Sequence, residues 1–349
     1  MIPVQNVYYM LAYAFQVLNE QGYKNIATEQ FNNVAELCAA ILSKGISVQL
    51  KRGLGREYIP ETDALSAIRG KINVSESIKT RTLLKKQLVC MYDDFSVNSY
   101  MNQVIKTTVA LLLRSGISKA RKKELRKLFI FFDEVELLDV HNINWSFQYN
   151  QNNQTYQMLI SICYLIVKGL LQTNSDGTKK LMDFIDEQRM SRLYEKFILE
   201  YFRREHPEIT ANASQIPWQL DDNMNAMLPV MQTDIMLTKD EKTLIIDAKY
   251  YANTMQIHYD VQTLHSGNLY QIFTYVKNKE SQLSSHPHEV SGMLLYARTD
   301  ENVLPNNTYR MSGNRISVRT LDLNCTFGHI TAQLDAVASE YFGVSSYQF

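Results

Sequence analysis

Apolar residues recur at helical spacing along several stretches of the chain. Val7, Met10, Leu11, Ala14 and Leu18 predict an amphipathic helix with Asn6 as its cap. Tyr100 to Arg114 carries a stripe of Met101, Val104, Ile105, Thr108, Leu111 and Leu112. Met158 to Leu171, Met190 to Arg204, Asn268 to Tyr275 and Ile330 to Tyr341 predict further helices. Between Leu42 and Ile78 the texture changes to short alternating runs punctuated by Gly45, Gly53, Gly55, Pro60 and Gly70, which predict β-hairpins and exposed turns. Val290 to Tyr296 and Arg315 to Leu321 read as strands. Thr233 to Leu237 and Thr243 to Ala248, rich in Ile, Leu and Thr, predict a hairpin whose longer turn is the polar segment Thr238 to Lys242. The polar stretches Asn150 to Thr155 and Thr173 to Lys180 place a domain boundary in their neighbourhood. The resulting expectation is an α+β domain of hairpins and helices over residues 1–150 and an α/β domain over 151–349.

Composition narrows the class. A chain of 349 residues is long enough for two domains with a substantial core. Thirty-six basic and 36 acidic residues cancel, so the overall charge does not announce a nucleic-acid binder, and any such role falls to a local basic face. The one concentrated run, Lys119 to Lys127, reads as a solvated helix face, with contact to a phosphate backbone as the alternative. Lys51, Arg52 and Arg56 flank a glycine-rich bend, and Arg69-Gly70-Lys71 follows. This segment reads either as charged hairpins or as a projection that carries arginines into a partner. Cys38, Cys90, Cys163 and Cys325 lack C-x-x-C spacing, which argues against a zinc site or a disulfide framework and for a reducing cytoplasm. The N-terminus lacks the basic stretch and cleavage site of a signal peptide. No apolar run approaches the roughly 20 residues that span a bilayer. A soluble, cytoplasmic protein is expected.

The chemistry concentrates between Met231 and Tyr251. Strand side chains alternate between faces, so Asp247 and Lys249 point the same way, and Asp234 on the neighbouring strand reaches that face. Two carboxylates suit a hard divalent cation such as Mg²⁺ or Mn²⁺, which is commonly held by one or two carboxylates plus phosphate and water. A lysine beside them stabilises charge on a phosphate or orients the attacking water. The chain holds a second D-x-K, Asp240-Glu241-Lys242, but it lies in the polar turn and reads as a solvated loop. The run Leu244-Ile245-Ile246 before Asp247 should be buried, where an ionised group needs a partner or a metal.

Asp234 followed thirteen residues later by Asp247-Ala248-Lys249 resembles the PD-(D/E)XK nuclease superfamily, with Thr233 where the motif's name has proline. That resemblance implies a central mixed sheet flanked by helices over 151–349. It also makes Glu195, on the preceding helix, a candidate further member of the site. Gln271 and Tyr275, four apart on one helix face, match the superfamily's Q-x-x-x-Y accessory motif. Ile2 to Ala14, Arg52-Gly53-Leu54 to Arg69-Gly70-Lys71, Asn102, Asp247 to Tyr251 and Asn268 to Gln271 together resemble the McrC family over nearly the full length. McrC is the endonuclease subunit of McrBC modification-dependent restriction systems.

The resemblance implies a division of labour. An McrB-like AAA+ GTPase hexamer recognises double-stranded DNA carrying methylated cytosine, and the McrC-like subunit docks on it through the Leu42 to Lys71 region, stimulates GTP hydrolysis and cuts. The absence of a G-x-x-x-x-G-K-[ST] loop here accords with GTP being used only through that partner. A self-sufficient nuclease and a non-catalytic activator of the GTPase are the other two readings of the sequence.

Overall fold

A computed structural model of the chain describes residues 2–19, 23, 26, 29, 31–149, 153–175, 187–222, 224, 226–250, 255–258, 261–298 and 304–344. Asn150, the end of the Thr173 to Lys180 stretch and Tyr251 lie outside them. The chain forms two compact units, one of residues 1–20, 27–32 and 185–349 and the other of 21–26 and 33–184. The division therefore falls after residue 184 rather than at 150.

Helix α1 (Val4–Ala14) is set by the apolar spacing of its buried residues Val7, Met10, Leu11 and Ala14. Asn6 is not its cap. Pro3 occupies that position, and Asn6 lies buried in the first turn, donating from Nδ2 to the carbonyls of Leu323 at 2.9 Å and Cys325 at 2.8 Å.

The second unit begins with α2 (Val34–Arg52), capped by Asn33, whose side chain accepts from Glu36 N–H. Leu42 to Arg52 is thus helical, not part of a hairpin region. The misleading signal was Gly45: a Cβ there would stand 2.4 Å from Leu159 Cδ2, so this glycine marks a close approach between helices and not a turn. Strands β1 (Glu57–Leu65), β2 (Lys71–Ile72) and β3 (Leu88–Ser96) form an antiparallel sheet in the order β1-β3-β2, with the short helix α3 (Val74–Lys79) between β2 and β3. Helices α4 (Tyr100–Arg114) and α5 (Lys119–Phe129) follow, started by Ser99 and Ser118, whose hydroxyls accept from the backbone N–H groups of Asn102 and Arg121. Helix α6 (Gln154–Ser175) packs against both α2 and α4, which is why it belongs with this unit.

In the first unit, α7 (Glu187–Glu205) packs against α1. The strands are β4 (Thr210–Asn212), β5 (Gln215–Ile216), β6 (Met231–Gln232), β7 (Ile235–Lys239), β8 (Lys242–Lys249), β9 (Met255–His258), β10 (Val261–Leu264), β11 (Glu289–Ala297), β12 (Asn307–Met311) and β13 (Asn314–Leu321). Six of them make a mixed sheet in the order β12-β13-β11-β8-β7-β4, with β11 parallel to both β8 and β13. The hairpin turn between β7 and β8 is only Asp240-Glu241, because Lys239 pairs with Lys242. Asp240 takes φ 51°, which an aspartate tolerates at a tight turn, so the expected longer turn is shortened and both strands extend further.

Helix α8 (Ser266–Gln282) covers the sheet face formed by Ile245, Val290, Leu294, Ile316 and Val318. Gly292 makes this approach close: a Cβ there would lie 2.8 Å from Val276 and 2.9 Å from Ile272. Helix α7 and the closing helix α9 (Phe327–Phe342) also pack against β8. The result is a mixed sheet flanked by helices. No described helix is long and apolar enough to cross a membrane, and the four cysteines are free thiols.

Candidate active site

The register of β7 against β8 places the two aspartates. Ile235 pairs with Ile246, so the residue before β7, Asp234, sits level with Asp247 on the same face of the sheet. Asp234 Oδ2 accepts from the backbone N–H of Ala248 at 3.0 Å, which ties its carboxylate across to β8. Two positions beyond Asp247, Lys249 brings its ammonium 3.0 Å from Asp247 Oδ1 and 2.9 Å from Oδ2. The first of these is a directed hydrogen bond; Oδ2 is buried without one.

Burial dominates the electrostatics. Asp247 is 1% exposed, and desolvation pushes its carboxyl up to about 7, against the opposing pull of Lys249 and with the help of the Asp234 charge. Asp234 is displaced upward by burial too, held back by Lys249 and by the Ala248 N–H. A buried carboxyl and a half-buried one beside a single lysine carry excess negative charge once both ionise, and a divalent cation removes that cost. The donor set, all hard oxygen, suits Mg²⁺ or Mn²⁺. Among the described residues no group of three or more His, Cys, Asp or Glu side chains is arranged to hold a metal. The two aspartates therefore offer a pair of protein ligands, with the remaining positions left to water and phosphate.

The other sequence candidates are placed as follows. Glu195 on α7 accepts from Ser191 Oγ at 2.9 Å. Its carboxyl is raised first by burial and then by the Asp234 charge, with Lys249 opposing, so it shares the field of the site without joining the two aspartates in a three-carboxylate cluster. Gln271 and Tyr275 share a face of α8 as expected: Gln271 Nε2 donates to Tyr275 Oη at 3.0 Å. The Tyr275 hydroxyl donates to the carbonyl of Gln232 at 3.1 Å, two residues before Asp234. This pair braces the strand that delivers Asp234. The second D-x-K, Asp240-Glu241-Lys242, is exposed at the hairpin turn.

Sequence reading missed Thr233. It stands where the motif's name has proline, is buried, and grips Ser214: its hydroxyl donates to Ser214 O at 2.9 Å and accepts from Ser214 N–H at 3.1 Å, while its own N–H donates to Ser214 O at 2.9 Å. The alternation that sends Asp234 to one face sends Thr233 to the other, and that was legible. Its partner, 19 residues earlier, was not.

Comparison with known proteins sets this geometry in a family. The model of the family described as McrBC 5-methylcytosine restriction system component matches residues 4–297. This chain belongs to that family. The McrBC match runs through both units and takes in Glu195, Asp234, Asp247, Lys249, Gln271 and Tyr275. A protein of Escherichia coli strain K12 described as type IV methyl-directed restriction enzyme EcoKMcrBC is 30% identical over 346 residues, covering 97% of this chain and 98% of that protein. Among solved structures, a refined half-complex from a tetradecameric assembly of Thermococcus gammatolerans McrB AAA+ hexamers with bound McrC aligns over 96% of this chain and 76% of that one, at 15% identity and TM-score 0.46. The Thermococcus gammatolerans McrBC complex aligns over 58% of each chain at 17% identity and TM-score 0.40. Both likenesses are distant, and no assignment rests on them.

Proposed function

We propose that this McrBC component is the DNA-cutting subunit of its restriction system, a PD-(D/E)XK-type endonuclease that hydrolyses phosphodiester bonds with Mg²⁺ or Mn²⁺. The observation that carries the reading is the pair Asp234, half-buried, and Asp247, buried, level on adjacent strands with Lys249 on Asp247. Asp234 and Asp247 hold the metal in this account. The metal, when bound, polarises the phosphate and lowers the pKa of a water. Lys249 keeps Asp247 oriented and places a positive charge where negative charge develops on the phosphate. Tyr275 and Gln271 hold the strand entering Asp234, and Glu195 adds negative field at the edge.

The same proposal gives the chain a partner, an McrB-like AAA+ GTPase hexamer that recognises double-stranded DNA carrying modified cytosine. Supporting this, the relationship to EcoKMcrBC is nearly full-length. The β1 to β3 region of the second unit also displays large apolar side chains, Tyr58, Ile68, Leu84 and Phe95, which is the kind of surface that marks a protein contact. In this reading that region docks on the hexamer and stimulates GTP hydrolysis.

The test mixes this chain, its GTPase partner, GTP, Mg²⁺ and methylated or unmethylated plasmid, leaving out one component at a time. Cutting of methylated plasmid only by the complete mixture is expected. Efficient cutting of unmethylated plasmid by this chain alone overturns partner dependence in favour of a self-sufficient nuclease.

A further inference from the structure

Helix α5, in the second unit, carries the strongest local charge of the chain. At 3.6 residues per turn, Lys119, Lys122, Lys123, Arg126 and Lys127 fall within one arc of about 140°, with the half-buried Lys122 at the edge nearest the buried Leu125. Lys119, Lys123, Arg126 and Lys127 are exposed. None of these five forms an ion pair among the described residues. The one carboxylate on the helix, Glu124, is taken by Arg121 at 2.6 Å on the flank. Glu36 is likewise occupied, accepting from Ser118 at the helix start. Asp133, Glu134 and Glu136 follow the helix but bridge to none of the five.

This arrangement works against the helix. Lys119 with Lys123, Lys122 with Arg126 and Lys123 with Lys127 are like-charge pairs four apart, and Lys119 stands at the positive end of the helix dipole. A face that only meets water is better served by interleaved carboxylates, which α5 lacks on this side. In a chain whose basic and acidic residues balance, five uncompensated cations along about 12 Å of helix complement a strand of DNA, which carries one negative charge about every 3.4 Å.

We propose that the exposed face of α5 is a sequence-independent binding surface for the phosphate backbone of duplex DNA, separate from the carboxylate site and carried by the other unit. The proposal rests on the DNA-cleaving reading above for its biological sense, but its test needs no cleavage. Release of counterions makes each neutralised phosphate visible as salt dependence. Four contacts give a slope of about −3.6 in log K against log salt, or about 150-fold weaker binding between 50 and 200 mM salt.

The experiment uses the full chain carrying Lys249→Ala, so that no DNA is cut, and a labelled unmethylated duplex followed by fluorescence anisotropy over that salt range. Changing Lys119, Lys123, Arg126 and Lys127 to Gln is expected to flatten the slope by about 3.6. Changing Lys119, Lys123 and Lys127 to Arg is expected to leave it intact, which separates charge from folding. A control that changes Lys79, Arg81, Lys85 and Lys86 to Gln removes the same net charge elsewhere and is expected to leave most of the slope.

An unchanged slope in the α5 variant overturns the proposal, including the case in which that variant instead loses the GTPase partner. Equal flattening in the control, or loss of slope in the arginine variant, overturns it as well. Failure of the nuclease reading looks different: normal salt-dependent binding together with no cutting by the complete mixture.

Discussion

Thr233→Val tests whether the strand entering the carboxylate site is held by its grip on Ser214. Valine keeps the branched shape of threonine and puts a methyl group where the hydroxyl was. Two hydrogen bonds disappear, at 2.9 and 3.1 Å, and the Ser214 N–H loses its acceptor. At about 1 kcal/mol per bond the unit loses about 2 kcal/mol. With Trp145 changed to Phe, Trp218 is the one remaining tryptophan and reports on the sheet unit, so urea denaturation followed by its fluorescence reads the change there. Because Asp234 is the next residue, its carboxylate loses its fixed approach to Ala248 N–H, and displacements of an ångström at a reacting centre cost on the order of 100-fold. Cleavage by the reconstituted complex is expected to fall at least about tenfold, while Thr233→Ser, which keeps the hydroxyl, retains it. Thr233→Pro brings the chain nearer to the motif's name but deletes the N–H that donates to Ser214 O, and is expected to be worse than valine. A valine variant within about 0.5 kcal/mol of wild type that also cuts at the wild-type rate refutes the argument.

Two further outcomes follow from the carboxylate pair. The Asp247 carboxyl, raised to about 7 by burial, keeps its proton in the folded state over a range where the unfolded chain has lost it. Its contribution to stability is therefore complete below about pH 4 and lost as pH rises through about 7; melting of the metal-free chain should show this decline and Asp247→Asn should lack it, so identical profiles for the two count against the burial argument. Calorimetric titration of Mg²⁺ into the assembled complex on DNA should show binding by wild type that is lost in Asp247→Ala, and equal binding removes Asp247 from the metal site.

The legibility of this chain follows from what local patterns encode. The strand ending in Asp247 was readable because Leu244, Ile245 and Ile246 form an apolar run, and alternation alone puts Lys249 on the face of Asp247. The spacing of Tyr100 to Arg114 gave a helix with the observed ends. Leu42 to Arg52 was misread because Gly45 is a turn signal locally and a packing requirement only once Leu159 lies against it. Asn6 looked like a cap, yet its amide serves two carbonyls more than 300 residues away. The opposition of Asp234 to Asp247 needed a register, and the register depended on a two-residue turn that the polar run Thr238 to Lys242 concealed. Thr233 with Ser214, and Tyr275 with Gln232, are contacts between distant positions that no periodicity announces.

The central claim is that Asp234, Asp247 and Lys249 cut DNA in a chain whose other unit serves the partner. Lys249→Ala in the complete mixture tests it most directly, because strand cleavage and GTP hydrolysis can be read from one tube. The account predicts that cleavage of methylated plasmid is abolished while partner-dependent GTP hydrolysis stays near the wild-type rate. Cleavage at the wild-type rate by the Lys249→Ala protein contradicts it.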